Sequence, residues 1–142
     1  MRERNLRVLE FTKIVEMLAE RAVSAMGREA CQALMPSSDA DEVRAWQRET
    51  EEASMVMAYT GSNPMIYFAD VRDHLKRAAV GGTLSQKALL EVAELLRASR
   101  GVRAALVTER ENTPLLIYKA SALNTNRPLE EDIFNAILSE DE

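Results

Sequence analysis

The chain has 142 residues, a net charge of −5 and one cysteine, Cys31. That length suits a single domain able to bury roughly two thirds of its unfolded surface, so no metal or crosslink is needed to hold a core. One cysteine excludes an internal disulfide, and no unbroken apolar run is long enough for a signal peptide or a membrane span, so a cytoplasmic chain without membrane association is expected.

Hydrophobic residues make up 46% of the chain but aromatic ones only 5%, with Leu, Ala, Met and Glu dominant, which points to an all-α helical bundle. In the first segment Phe11, Val15, Leu18, Ala22 and Met26 recur at helical spacing, Ile14 and Met17 widen the apolar face, and Thr12 can cap the helix start. Ser24 and Gly27 argue for a break near Val23 and a second helix, which Pro36 ends. Ser38 opens the next helix, predicted from Asp39 to Tyr59, with Val43, Trp46, Thr50, Ala53 and Met57 facing inward and Asp39, Asp41 and Glu42 at its positive end. Gly61, Asn63 and Pro64 stop it.

Met65 to Phe68 is too short to assign as a strand. Asp70 can cap a short helix through Ala79, with Val71, Leu75 and Ala78 turned inward, before Gly81-Gly82 ends it. Ser85 caps a long helix to Val107, on which Ala88, Val92, Leu95, Ser99, Val102 and Leu106 form the stripe. Thr108 to Thr113 reads as polar loop, and Leu115 to Ala120 and Leu129 to Leu138 as two shorter helices, with Pro128 at the start of the last. The helical domain is thus expected over residues 1–138, and residues 139–142, Ser-Glu-Asp-Glu, form an acidic mobile end.

The chain carries no catalytic constellation. Gly81-Gly82 lacks the lysine of a phosphate-binding loop and reads as a helix stop. His74 is the sole histidine, too few for a metal set or a nucleophile and base, and Cys31 has no neighbour to lower its pKa. Glu49, Glu51 and Glu52 fall on successive helix faces as solvated charges, and Glu130, Glu131 and Asp132 read as partners of a helix dipole. No catalytic, cofactor-binding or metal residue is assigned, and the chain alone is not expected to be an enzyme.

Charge is unevenly distributed: residues 61–110 hold 8 Lys/Arg against 5 Asp/Glu, while residues 1–60 hold 8 against 11 and residues 111–142 hold 2 against 7. Arg72, Lys76 and Arg77 lie on the short helix, and Arg97, Arg100 and Arg103 advance along the long one. If the two helices pack together, these six cations can share one surface that meets nucleic-acid phosphates. The competing expectation is a solvated flank, or internal pairing with Glu91 and Glu94. No aromatic residue interleaves with the arginines, which argues against base stacking.

Several segments in sequence order carry a family resemblance: LEFTKIVEMLAERAVSAMGREA from Leu9, PSSD from Pro36, EVRAWQRETEEA from Glu42 and DVRDHLKRAAVGGTLS from Asp70. Together they resemble the N-terminal part of the bacterial MutS paralogue family whose full-length members end in an Smr domain. The resemblance implies the start of a helical core and lever region that couples DNA-facing clamp helices to a C-terminal ATPase. It implies that the chain is an N-terminal piece of a longer protein. That parent would use ATP and Mg, act as a homodimer, bind branched DNA or stalled ribosomes through DNA or rRNA contact, suppress recombination and carry an endonuclease domain. The family supplies no catalytic residue in the matched segments. The alternative is a free-standing helical interaction or dimerisation module.

Overall fold

In a computed structural model, which describes residues 3–107 and 112–138, the chain folds as helices α1 (Glu3–Val8), α2 (Phe11–Ala19), α3 (Ala25–Gln32), α4 (Ala40–Thr60), α5 (Arg72–Ala79), α6 (Gln86–Val107), α7 (Pro114–Ser121) and α8 (Arg127–Leu138). Among the described residues there is no strand, so the all-α expectation holds, and Met65 to Phe68 runs as irregular chain. Residues 108–111 of the expected polar loop and the acidic end 139–142 lie outside the described residues.

Local chemistry explains most helix ends. Ser24 caps α3 by accepting from the Gly27 N–H at 3.1 Å, which separates α2 from α3 near Val23 as expected. Three expected caps move; at α5 the N-cap position is Val71 rather than Asp70, whose carboxylate instead accepts from the Arg72 N–H at 3.1 Å. Phe11 opens α2, placing Thr12 inside the helix, because Glu10 adopts the left-handed conformation at φ 52 and reverses the chain after α1, a helix the sequence pattern did not announce. Asp39, not Ser38, caps α4: its carboxylate accepts from the Asp41 and Glu42 N–H groups at 2.8 and 3.3 Å. Ser85 caps α6 through the Ala88 N–H at 3.2 Å. Asn126, unassigned from sequence, accepts from the Leu129 N–H at 3.2 Å at the start of α8.

The α5 stop uses both glycines, for different reasons. Gly81 sits at φ 79, where a side chain is strained. The Gly82 N–H donates to the Arg77 carbonyl at 2.9 Å, and a Cβ on Gly82 would lie 2.7 Å from Arg77 Cγ. These are the two closing bonds of a left-handed helix cap, with Gly81 donating to Ala78, and they use the backbone donors a phosphate would need.

The helices pack in two groups. Helix α6 is the axis of the larger, with α8 laid along it, α7 against it and α4 over α7. Ala93 of α6 packs with Ile133 and Ile137 of α8, and Leu89, Leu90 and Phe134 seal the contact. The small side chains of Ala88, Ala93 and Ala98 let the neighbouring helices approach closely. The smaller group is α1–α3, in which Val15 and Ala19 of α2 are buried.

Three predicted apolar faces are corrected. On α2 and α3, Ile14, Met17, Leu18 and Met26 are exposed, because α2 stops at Ala19 and only its Val15 side is covered. On α4 the seam runs through Glu52 and Val56, leaving Trp46, Thr50 and Met57 outside, because α7 docks on the Glu52 side. On α5 only Val71, just before the helix, is buried; Leu75 is 52% exposed and Ala78 is exposed, because polar contacts hold α5 to its neighbours.

Candidate nucleic-acid interface

The six cations expected to form one surface occupy two opposite sides of α6. His74 of α5 meets Glu91 of α6 at 2.7 Å. Arg100 lies nine residues beyond Glu91, a rotation of about 180° around the helix, and Arg97 and Arg103 flank it at about 60° to either side. Helix α5 therefore joins the face of α6 opposite the three arginines.

Each cation has its own setting. Arg72 grips Asp70 through two nitrogens and reaches Glu29 of α3 at 2.7 Å, tying the α1–α3 group to the start of α5. Its hydrogen bonds hold the Asp70 carboxyl down at about 2 and lower that of Glu29, while both carboxylates raise the Arg72 guanidinium. Lys76 pairs with Asp73 at 3.2 Å in open solvent, a contact worth little. Arg100 binds Glu130 of α8 in a two-pronged pair at 3.0 and 2.8 Å, with the Glu130 side chain only 6% exposed. The Arg100 hydrogen bonds hold the Glu130 carboxyl below its usual range, with Arg97 and Arg127 adding longer-range attraction. Arg103 donates to the Leu123 carbonyl at 3.2 Å and pins the turn between α7 and α8. Among the described residues Arg77 and Arg97 are exposed and make no ion pair.

The internal partners differ from those expected. Glu91 is taken by His74 and, at 3.9 Å, Lys87, whereas Arg100 alone of the α6 arginines pairs with Glu130. Sequence reasoning also treated Glu52 and Glu130 as surface charges, and both are buried. Glu52 accepts from the Leu115 and Leu116 N–H groups at 3.3 and 2.9 Å, capping α7 from a different helix. Thr113, at the N-cap position of α7, makes no capping bond with its own side chain, so Glu52 meets free helix donors near the positive end of the dipole. Nothing in the sequence signalled this external acceptor, since Thr113 before Pro114 is itself an ordinary N-cap pattern. Glu49, one turn earlier on α4, pairs with Lys119 at 2.7 Å and braces the same contact.

The remaining candidates are quiet. Cys31 is free and half-buried. Among the described residues no three His, Cys, Asp or Glu side chains converge as a metal-ligand set, and no helix is long and apolar enough to cross a membrane. Of the six cations named from the sequence, Arg77 and Arg97 are thus left exposed without an ion pair among the described residues, and Lys76 is exposed in a solvent-facing pair with Asp73.

Comparison with known proteins adds what this geometry cannot. No family model matches the chain. It is 45% identical over 140 residues to Endonuclease MutS2 of Geobacillus thermodenitrificans, covering 96% of this chain and 18% of that protein. It is 36% identical over 145 residues to Endonuclease MutS2 of Acetivibrio thermocellus, covering 100% and 18%, and 34% identical over 143 residues to that of Clostridioides difficile, covering 99% and 18%. The chain thus spans under a fifth of the length of these relatives. Along nearly all of its residues, this helical chain is MutS2-like.

Proposed function

We propose that the chain is the N-terminal helical scaffold of a longer MutS-like DNA-processing ATPase, coupling clamp helices to the nucleotide-hydrolysing domain. The observation that carries this is surface. The chain exposes 10680 Å², where a compact monomer of its 15.9 kDa exposes about 7,400 Å². Large apolar residues contribute to the excess, with Val80, Val8, Tyr67, Met17 and Tyr59 all more than 60% exposed. Such a surface belongs to a domain that is completed by other protein. Relatives more than five times as long provide a source for it.

In this reading the longer protein binds ATP and Mg outside this chain, works as a homodimer in the cytoplasm, engages branched DNA or a stalled ribosome, suppresses recombination, and carries an Smr-type endonuclease domain. The scaffold adds weak phosphate attraction at Lys76, Arg77 and Arg97, while Arg72, Arg100 and Arg103 hold helices together.

The test begins with the downstream coding sequence, expected to contain a Gly-rich loop ending in Lys-Ser/Thr. Branched DNA should stimulate ATP hydrolysis by the longer polypeptide. Ile133→Ala, which loosens α6 from α8, should reduce that stimulation more than basal hydrolysis. A reading frame closing soon after Glu142, or stimulation indifferent to Ile133, would reject the proposal. Phosphate contact is tested by Lys76→Glu with Arg77→Glu and Arg97→Glu: binding to a DNA duplex at low salt should fall, and the wild-type salt slope should correspond to about two or three phosphates. Binding that ignores both salt and these substitutions would exclude it.

A further inference from the structure

Helix α2 carries more apolar surface than its neighbours cover. Phe11, Val15 and Ala19 span about 80° of its circumference, and Leu18, Ile14 and Met17 continue the apolar arc through about another 120°. The first part packs toward α3, with Val15 and Ala19 buried, whereas Ile14, Met17 and Leu18 are 58%, 64% and 44% exposed. A helix that packs against a neighbour ordinarily presents an apolar stripe about 100° wide, so the uncovered arc is the width of one more helix contact. Arg21, in the turn just past the end of α2, is exposed and makes no ion pair among the described residues.

We infer that the Ile14–Met17–Leu18 face of α2 is the docking surface for an amphipathic helix supplied by the remainder of the longer polypeptide, with an acidic residue of that helix opposite Arg21. The inference rests on the proposed function and gives that scaffold a specific partner surface. Area selects this occupant over a second copy of the chain. The excess surface is roughly 3,300 Å², against about 800 Å² contributed by each partner in a standard interface and up to about 2,500 Å² in an obligate dimer. A symmetric pair through α2 leaves much of the excess uncovered, whereas relatives of which this chain spans 18% have ample further chain.

Thiol labelling distinguishes the outcomes. Met17→Cys and, separately, Glu16→Cys are placed in a Cys31→Ser background, both in the 142-residue chain and in the longer polypeptide, and maleimide labelling rates are compared. Met17→Cys is expected to label at least tenfold more slowly in the longer polypeptide than in the chain alone, with Glu16→Cys on the polar side changing less than twofold. Ile14→Cys should repeat the Met17 result, which guards against a local disturbance at one position. Equal Met17→Cys rates in the two proteins would overturn the docking surface while leaving the scaffold assignment intact if ATP hydrolysis is present. Equal protection at positions 14, 16 and 17 would overturn the assignment of one face. Protection in the chain alone at high concentration, with sedimentation at the dimer mass, would make a second copy the occupant. Absence of any longer polypeptide would remove both this inference and the proposed function.

Discussion

The α1–α3 group and the bundle of α4, α6, α7 and α8 are built from similar apolar content but reach opposite states of closure. In the bundle, apolar contacts close around Ala93, Ile133 and Ile137, and two buried carboxylates are matched to donors from other helices: Glu52 to the start of α7, and Glu130 to Arg100. Among the described residues of the α1–α3 group only Val15, Ala19 and Ser24 are buried, and α2 leaves more than half of its apolar arc in solvent. Arg72 and Glu29 join α5 to this group by an exposed ion pair. The difference separates a region whose apolar surface is covered from within from one that leaves much of its apolar surface in solvent.

The largest test of that contrast is a matched pair of truncations. Ile133→Ala should cost the bundle about 3 kcal/mol in urea unfolding of the chain, whereas Ile14→Ala should change stability by less than about 0.5 kcal/mol. Similar losses at both positions would mean that the two regions are equally packed. Glu52→Ala comes next, at about 2 kcal/mol, because it leaves the first N–H groups of α7 without their charged acceptor. Hydrogen exchange should rise at Leu115 and Leu116 before it rises in α8.

Glu130→Gln should lower the melting temperature by about 5 °C, since the amide keeps the shape but loses the charge that meets Arg100. Acid should affect both regions, but at different sites. The Asp70, Glu29 and Glu130 carboxyls are lowered in the folded chain, so their stabilisation is present above the ordinary carboxylate range and is lost as pH falls through the folded values. For Asp70 that loss falls between about 4 and about 2. A melting temperature independent of pH from 5 to about 2 would contradict the pairing of these groups. The smallest expected effect is at Lys13→Ala: its 2.6 Å pair with Glu10 is exposed at both ends, so stability should stay within about 0.5 kcal/mol.

Much of the helix order was legible because it is written locally. Ser24, Ser85, Pro36, Gly61 and Gly81-Gly82 act within one turn of themselves, so their effect is readable without knowing what packs where. Asp39 lay one residue from the expected cap, and α1 was missed because its boundary depends on Glu10 adopting a left-handed conformation that no side-chain type announces.

The inward faces and the candidate site were less legible. Periodicity gives a helix an apolar arc but does not say how much of it a neighbour covers, which is why Met17 and Leu75 read as core and stand in solvent. The six cations could be counted from sequence, but their pairing could not. Arg100 finds Glu130 thirty residues away because α8 lies along α6, and α5 approaches the opposite face of α6 through His74.

By itself the sequence determined an all-α chain, the order of its long helices, the glycine-made stop after α5, and a motif order resembling the MutS paralogues. Only the tertiary structure decided that Glu52 and Glu130 are buried fasteners, that the basic residues divide between two sides of α6, and that α2 keeps an open apolar face. The reason is physical: caps and turns are set by neighbours in the chain, whereas burial and ion pairing are set by distances between helices remote in sequence.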